Sequence, residues 1–262
     1  MGFFVLDGKA SSDFGVNLSG ASTWATPERV VETAEIPGRN GKLITYVGQY
    51  RNVEISYPAW IARRFNMKFD AFCDWWNAHT DNYYMLTDTY HPEYYRMARP
   101  IGKLDPEVGT IGRSGKFELS FDCKPQKFLR DGNNARTIGN GESIVLRNPT
   151  DQDAYPLIVA KIANSTDSIL QIYQYETDTS YDQLTFGHTF DATSLNGFEI
   201  VYDTEICEAT CAIADADPVS VNSIITEDLE NDMTGFYIPA GDTVVLESNQ
   251  GEFDIYPRWY RI

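Results

Sequence analysis

Only one stretch of the chain repeats its apolar residues with the period of a helix. In Arg63–Thr80, Phe65, Phe69, Phe72, Cys73 and Trp76 recur at i, i+4, i+7, i+8 and i+11, while Arg63, Arg64, Lys68, Asp70 and Asp74 fall on other faces. That pattern is one face of an amphipathic helix, and it reads as core packing. The flanking sequence reads as strand: "RVVETAEI" and "KLITYVGQYRNVEISYPAW" precede the helix, and "YYMLTD", "YYRMARPIGKLDP" and "KFELSFDCKPQKF" follow it. Phe117, Leu119 and Phe121 alternate with Glu118, Ser120 and Asp122, as a half-buried strand requires. Beyond residue 141 there is no helical period, only short runs such as "SIVLRN", "YPLIVAKIA", "FEIVYDTEI" and "DTVVLES", some separated by turn signals at Asn196-Gly197 and Pro239-Ala240-Gly241. Many short strands without helices predict a sandwich or jelly roll. The fold class is mainly β.

Charge divides the chain at the same place as composition does. Of 21 Lys and Arg residues, 16 lie at or before Asn133, balanced there by 16 of the 38 acidic residues. The remainder therefore carries the whole net charge of −17. The segment "RDGNNARTIGNGES" (Arg130–Ser143) is rich in Gly and Asn, as a connection is, and predicts domains over residues 1–133 and 141–262. An acidic balance excludes tight nucleic-acid binding, which depends on cationic neutralisation of phosphates. It reads instead as a solubilising surface.

Catalytic and metal signatures are missing from the sequence. His79, His91 and His188 occur in no metal-binding spacing. Cys207 and Cys211 have no second pair or nearby His to complete a zinc site, and the four cysteines read as reduced thiols. "DQD" at Asp151 and "EDLEND" at Glu227 lack the spacing of a calcium loop, and "GNGES" at Gly139 neither follows a strand nor opens a helix. With 38 acids, chance carboxylate pairs carry no argument for glycoside hydrolysis. The start of the chain has no basic segment and meets Asp7 after four apolar residues, so no secretory signal is expected and the sequons at Asn17 and Asn164 carry no weight. No apolar run reaches the ~20 residues of a membrane-spanning helix. No enzyme activity, cofactor, metal or membrane insertion is expected. An alternative is a glycan- or receptor-binding module in the second domain, with Tyr173, Tyr175, Tyr181 and Phe186 as contact residues.

One short segment, "AEIPGRNGKL" (Ala34–Leu43), carries two tight-turn signals where one hairpin needs one. Pro37-Gly38 suits a type II turn, and Asn40-Gly41 suits a type I′ turn with both central residues at φ > 0.

Six segments, in order, resemble the siphophage distal tail (Dit-like) protein family. "EIPGRNGKL" is similar to that family's Pro-Gly-Arg-Asp-Gly hairpin, and "LSFDCKPQKF" (Leu119–Phe128) to the strand that closes its first domain. "NPTDQDAYPLIV" (Asn148–Val159) resembles the opening of its second domain. "FEIVYDTEICEAT" resembles the family's Ile-Asp-x-Glu strand, with Tyr202 interrupting the usual apolar pattern. "GFYIPAGDTVVLES" matches more loosely, with Ile238 before Pro239 and Asp242 in place of the common Asn. The terminal "IYPRWYRI" resembles the family's Pro-Arg-Trp ending. The resemblance implies an N-terminal β-sandwich with one α-helix and a projecting β-hairpin, then a galectin-like C-terminal sandwich. It implies a homo-hexameric ring at the tip of a long non-contractile phage tail, assembled in the host cytoplasm. The ring would join the major tail tube protein to the tail fibre or tail-associated hydrolase, with receptor-binding proteins as further partners and DNA passing through the lumen without sequence-specific binding. Pro37, Gly38, Arg39, Asn40 and Gly41 would then form an inter-subunit hairpin. A chain of 262 residues has no room for the carbohydrate-binding insertion found in some members.

Overall fold

The computed structural model describes residues 2–20, 25–109, 113–161, 167–174, 182–187, 199–211, 219–228 and 236–262. The chain divides into two compact units, one of residues 1–128 with Ile262, the other of residues 129–261.

Alternating burial builds the first unit. Its elements are β1 (Phe4–Leu6), β2 (Lys9–Ala10), β3 (Val16–Leu18), β4 (Arg29–Glu35), β5 (Lys42–Tyr50), β6 (Val53–Ile61), α1 (Phe65–Asn77), β7 (Tyr84–Asp88), β8 (Tyr94–Ile101), β9 (Glu107–Val108) and β10 (Gly115–Leu129). Along β6, Val53, Ile55, Tyr57, Ala59 and Ile61 turn inward while the residues between them stay more exposed, and Phe117, Leu119, Phe121 and Cys123 do the same on β10. One curled antiparallel sheet runs β2-β1-β7-β8-β10-β6-β3, with β9 pairing β10. An antiparallel bridge between Gly2 and Leu18 ties the segment ahead of β1 back to β3, so the curl closes upon itself.

The helix fills this curl with aromatic rings. Phe65, Phe72 and Trp76 are buried, and Phe69 packs partly buried beside them. Trp76 meets Phe121 at 5.0 Å between centroids, and Phe72 lies 5.6 Å from Trp76 and 6.0 Å from Phe117. Trp75, outside the predicted stripe, packs against Phe4 and Phe14 at 6.2 and 5.1 Å. Gly115 is the close-approach point, because a Cβ there would lie 2.3 Å from the Phe65 ring.

The second unit is a sandwich of two antiparallel sheets. Its strands are β11 (Arg136–Ile138), β12 (Ser143–Arg147), β13 (Leu157–Lys161), β14 (Ser168–Gln174), β15 (Asp182–Phe186), β16 (Glu199–Asp203), β17 (Glu208–Cys211), β18 (Val219–Ser220), β19 (Ile225–Asp228), β20 (Thr243–Gln250) and β21 (Glu252–Tyr256). One sheet runs β11-β21-β13-β16-β17-β18 and the other β12-β20-β14-β15-β19. Ile158, Ala160, Ile200, Tyr202, Phe253 and Ile255 of the first share a core with Leu146, Leu170, Ile172, Leu184, Phe186, Val244 and Leu246 of the second. The mainly β class and the sandwich read from the sequence are what the structure has.

All four cysteines are free thiols. Cys123 is buried against β6, and burial pushes its thiol up to about 12, whereas Cys207 is exposed in the turn between β16 and β17. Thiol-specific reagents at mildly alkaline pH should therefore label Cys207 first and Cys123 only on unfolding, which tryptic mapping of labelled protein checks.

On the outer face of β10, Asp122 accepts hydrogen bonds from Asn52 (2.9 Å), Tyr83 (2.9 Å) and Arg99 (3.0 Å). Burial would raise its carboxyl pKa, but these three donors outweigh it and hold the group below the usual carboxylate range. A depressed carboxyl stabilises the fold above its unfolded pKa of about 3.9, and that contribution is lost as pH falls through the folded value. Asp122→Asn should cost about 1 kcal/mol in urea unfolding at pH 7, and the difference from the parent should close in acid below that range.

Candidate functional site

Two features stand out, one on each unit: a hairpin whose apolar residues are uncovered, and a polar clasp that gathers the sequence signatures of the second unit.

The hairpin is β4 with β5, paired with each other and with no other strand among the described residues. Glu35 faces Lys42 as the last pair of the ladder, and the two side chains form an ion pair at 3.6 Å. Residues 36–41 close it. The Arg39 amide donates to the Ile36 carbonyl at 3.1 Å, and Gly38 has φ +80, so Pro37-Gly38 makes the predicted type II turn. Gly41 is also left-handed at φ +87, but Asn40 is not, so the type I′ turn expected at Asn40-Gly41 does not form. The reason lies in the register. A two-residue I′ turn there would need Arg39 opposite Lys42, whereas the ladder places Glu35 opposite Lys42.

Cross-strand register sorts the side chains into two faces. Val31 and Thr33 share one face with Ile44, and Ala34 and Leu43 share the other with Glu32 and Thr45. Val31 is 46% exposed, Leu43 49%, Ile44 65%, and Ile36 in the turn 40%. Apolar side chains are thus uncovered on both faces of a two-stranded ribbon, which by itself is marginally stable. Exposed apolar surface of this kind is a general mark of candidate contact regions.

In the second unit Arg258 is the gathering point. Its guanidinium forks onto Asp203 through Nη1–Oδ2 (2.8 Å) and Nη2–Oδ1 (2.6 Å), lies 3.5 Å from Glu205, and donates from Nε to the Tyr155 carbonyl at 2.8 Å. Arg258 itself takes a left-handed backbone, φ +54. A second knot surrounds the buried Asn148. Its Nδ2 donates to the carbonyls of Gln152, Ile238 and Pro239, and its Oδ1 accepts from the Thr150 amide and hydroxyl. An Ala154–Ile238 bridge and an Ala240 amide bond to Asp153 complete the corner. The segments "NPTDQDAYP", "IVYDTEI", "YIPAGD" and "YPRWY", dispersed in sequence, therefore meet in one network.

The remaining titratable cluster of note lies in the first unit. Tyr57 donates to Asp88 Oδ2 at 2.8 Å, Asp88 Oδ1 accepts the Tyr90 and His91 amides, and His91 Nδ1 lies 3.6 Å from the same oxygen. Burial, reinforced by Asp88, drives the Tyr57 phenol far above its ordinary range, so it is a fixed proton donor. The adjoining cavity is about 20 Å³, room for a single water. Among the described residues no group of three or more His, Cys, Asp or Glu is arranged to hold a metal ion, and no helix is long and apolar enough to cross a membrane.

The glycan contacts expected from sequence fare differently. Phe186 is fully buried in the sandwich core, 5.6 Å from the Phe253 ring, and is not available to a ligand. Tyr175 and Tyr181 lie outside the described residues, as does the Tyr173 side chain.

No family model matches the chain, and no curated protein matches it in sequence. Solved structures do. The Dit protein of phage SPP1, described as a paradigm of the hub adsorption apparatus of phages that infect Gram-positive bacteria, matches with a TM-score of 0.62 at 14% identity, over 97% of both chains. A chain of the phage P2 baseplate, in its activated conformation with Ca, matches with a TM-score of 0.53 at 12% identity, again over 97% of both chains. The chain has the fold of these phage hub and baseplate proteins through both of its units.

Removing the clasp tests its weight. Arg258→Ala leaves the Asp203 carboxylate, its side chain 27% exposed, without its fork, and should lower stability by about 2–3 kcal/mol. Asp203→Asn should cost less than this, and the double variant no more than Arg258→Ala alone, in a thermal or urea double-mutant cycle.

Proposed function

We propose that this chain is a structural hub of a phage tail tip, a non-enzymatic virion component that assembles with copies of itself and with other tail parts. The observation that carries this reading is the fold likeness over 97% of both chains to a phage adsorption hub, extending through both units rather than one common module. The six ordered sequence signatures support it independently.

In this reading six copies close into a ring, each presenting the same heterologous contact to the next. The hairpin supplies part of that contact. Covering half-exposed Val31, Ile36, Leu43 and Ile44 would gain about 1 kcal/mol each, and a ring repeats the gain at every interface. The charge-balanced first part of the chain permits close approach, because little like-charge repulsion opposes it. The acidic second part, placed outside, keeps the particle soluble. The major tail tube protein and the tail fibre or tail-associated hydrolase would bind the two sides of the ring, with receptor-binding proteins on the outer unit. DNA would pass through the lumen unread, and residues 37–41 would lie at the subunit contact.

Light scattering and negative-stain images of the purified protein test the ring. Particles near six times 29.6 kDa are expected. Ile44→Glu together with Leu43→Glu should reduce these particles to protomers while leaving the thermal midpoint within about 2 °C, since neither residue is in the core. Gly38→Val and Gly41→Val force β-branched residues to φ near +80 to +87, at about 1–3 kcal/mol each, and should impair assembly more than core stability. Normal rings from all three variants would remove the hairpin from the interface.

A further inference from the structure

The doubled turn of the hairpin ends in an Asn-Gly pair, and the chain offers an internal comparison for it. Asn40-Gly41 and Asn140-Gly141 are both exposed, and both glycines are left-handed, at φ +87 and φ +75. They differ in their hydrogen bonds. At the second pair the Gly141 amide donates to the Ser248 carbonyl at 2.8 Å, and the Asn140 Oδ1 accepts the Gly251 amide at 3.1 Å. At the first pair, among the described residues, neither the Gly41 amide nor the Asn40 carboxamide makes a hydrogen bond. A Cβ built on Gly41 would meet nothing within 4 Å, so its surroundings are open to solvent.

From this contrast we infer that Asn40 is a site of spontaneous covalent modification, losing its side-chain amide to become aspartyl and isoaspartyl. The chemistry needs no catalyst and no oxidant. Base removes the proton of the Gly41 amide, and that nitrogen attacks Cγ of Asn40. The N–Cγ bond forms, the Cγ–Nδ2 bond breaks, and the amide nitrogen leaves as ammonia with a proton from water. The resulting five-membered imide takes up one water at either carbonyl and reopens to a normal or a β-linked aspartyl residue. Glycine suits the attacking position because no side chain hinders the approach.

Asn140 has the same neighbour but a guarded geometry. Its nucleophile is already committed to Ser248, and its carboxamide is held by Gly251, so attack there first requires local opening. At Asn40 nothing has to open. The product puts a carboxylate beside Arg39 at the hairpin tip, and the β-linked form adds a main-chain methylene to the turn. The effect of that change on ring contacts rests on the proposed function; the reaction itself does not, and is read on the chain whether or not rings form.

The test is peptide mapping by mass spectrometry after incubating the full-length protein in mildly alkaline buffer, native and in denaturant. In the native protein Asn40 should convert at least ~10-fold faster than Asn140, the ratio set by breaking the hydrogen bonds at Asn140. In denaturant the two sites should react at similar rates. Gly41→Ala should slow conversion at residue 40 in both states without changing Asn140. Equal native rates would overturn the inference, and so would a preference for Asn40 that persists undiminished in denaturant.

Discussion

The second unit depends on one guanidinium. Arg258 sits near the end of the chain, yet it holds Asp203 at the end of β16 and the carbonyl of Tyr155 ahead of β13. Both strands pair in one sheet, Leu157 opposite Asp203, so the fork closes the end of a ladder already formed. Side-chain exposure of 17% for Arg258 keeps the fork away from most of the solvent that would weaken it. Arg suits the position better than Lys, because only a planar fork can engage both carboxylate oxygens and a carbonyl together. The left-handed backbone at Arg258 is a strained conformation that this contact set holds in place.

That clasp explains why the fold was only partly legible in the sequence. Periodicity reports which face of an element is buried, and it located the helix and the alternating strand Phe117–Phe121 directly. It does not report which distant segments meet. The sequence shows Asn148, Asp203, Pro239 and Arg258 as separate signatures, and only the structure shows two of the pairings, Asn148 with Pro239 and Asp203 with Arg258. Trp75 was missed for a related reason: a stripe counted on one helical face omits a bulky neighbour that packs against Phe4 and Phe14 from the side.

Two local readings show where composition misleads. Phe186 looked like a surface aromatic among tyrosines, yet Leu184 and Phe186 alternate with Gln183 and Thr185 along β15, the signature of an inward face. The Asn40-Gly41 pair looked like a hairpin turn because that dipeptide favours one. Register overrode propensity, since the ladder ends at Glu35–Lys42 and the preceding Pro37-Gly38 already reverses the chain. The spare glycine then serves a loop with no further partner.

The two kinds of sheet in the first unit make opposite use of their surfaces. The large sheet curls until Leu18 reaches back to Gly2, burying its apolar side chains around a helix and removing an open edge. The β4–β5 ribbon keeps Val31, Leu43 and Ile44 uncovered. Apolar residues stand on both of its faces, so a surface lying flat on one face would leave those on the other exposed. A ribbon inserted between surfaces has both faces covered, and its turn then has to hold a definite shape. Two left-handed glycines with open space around them give a slim turn whose form is set by backbone alone.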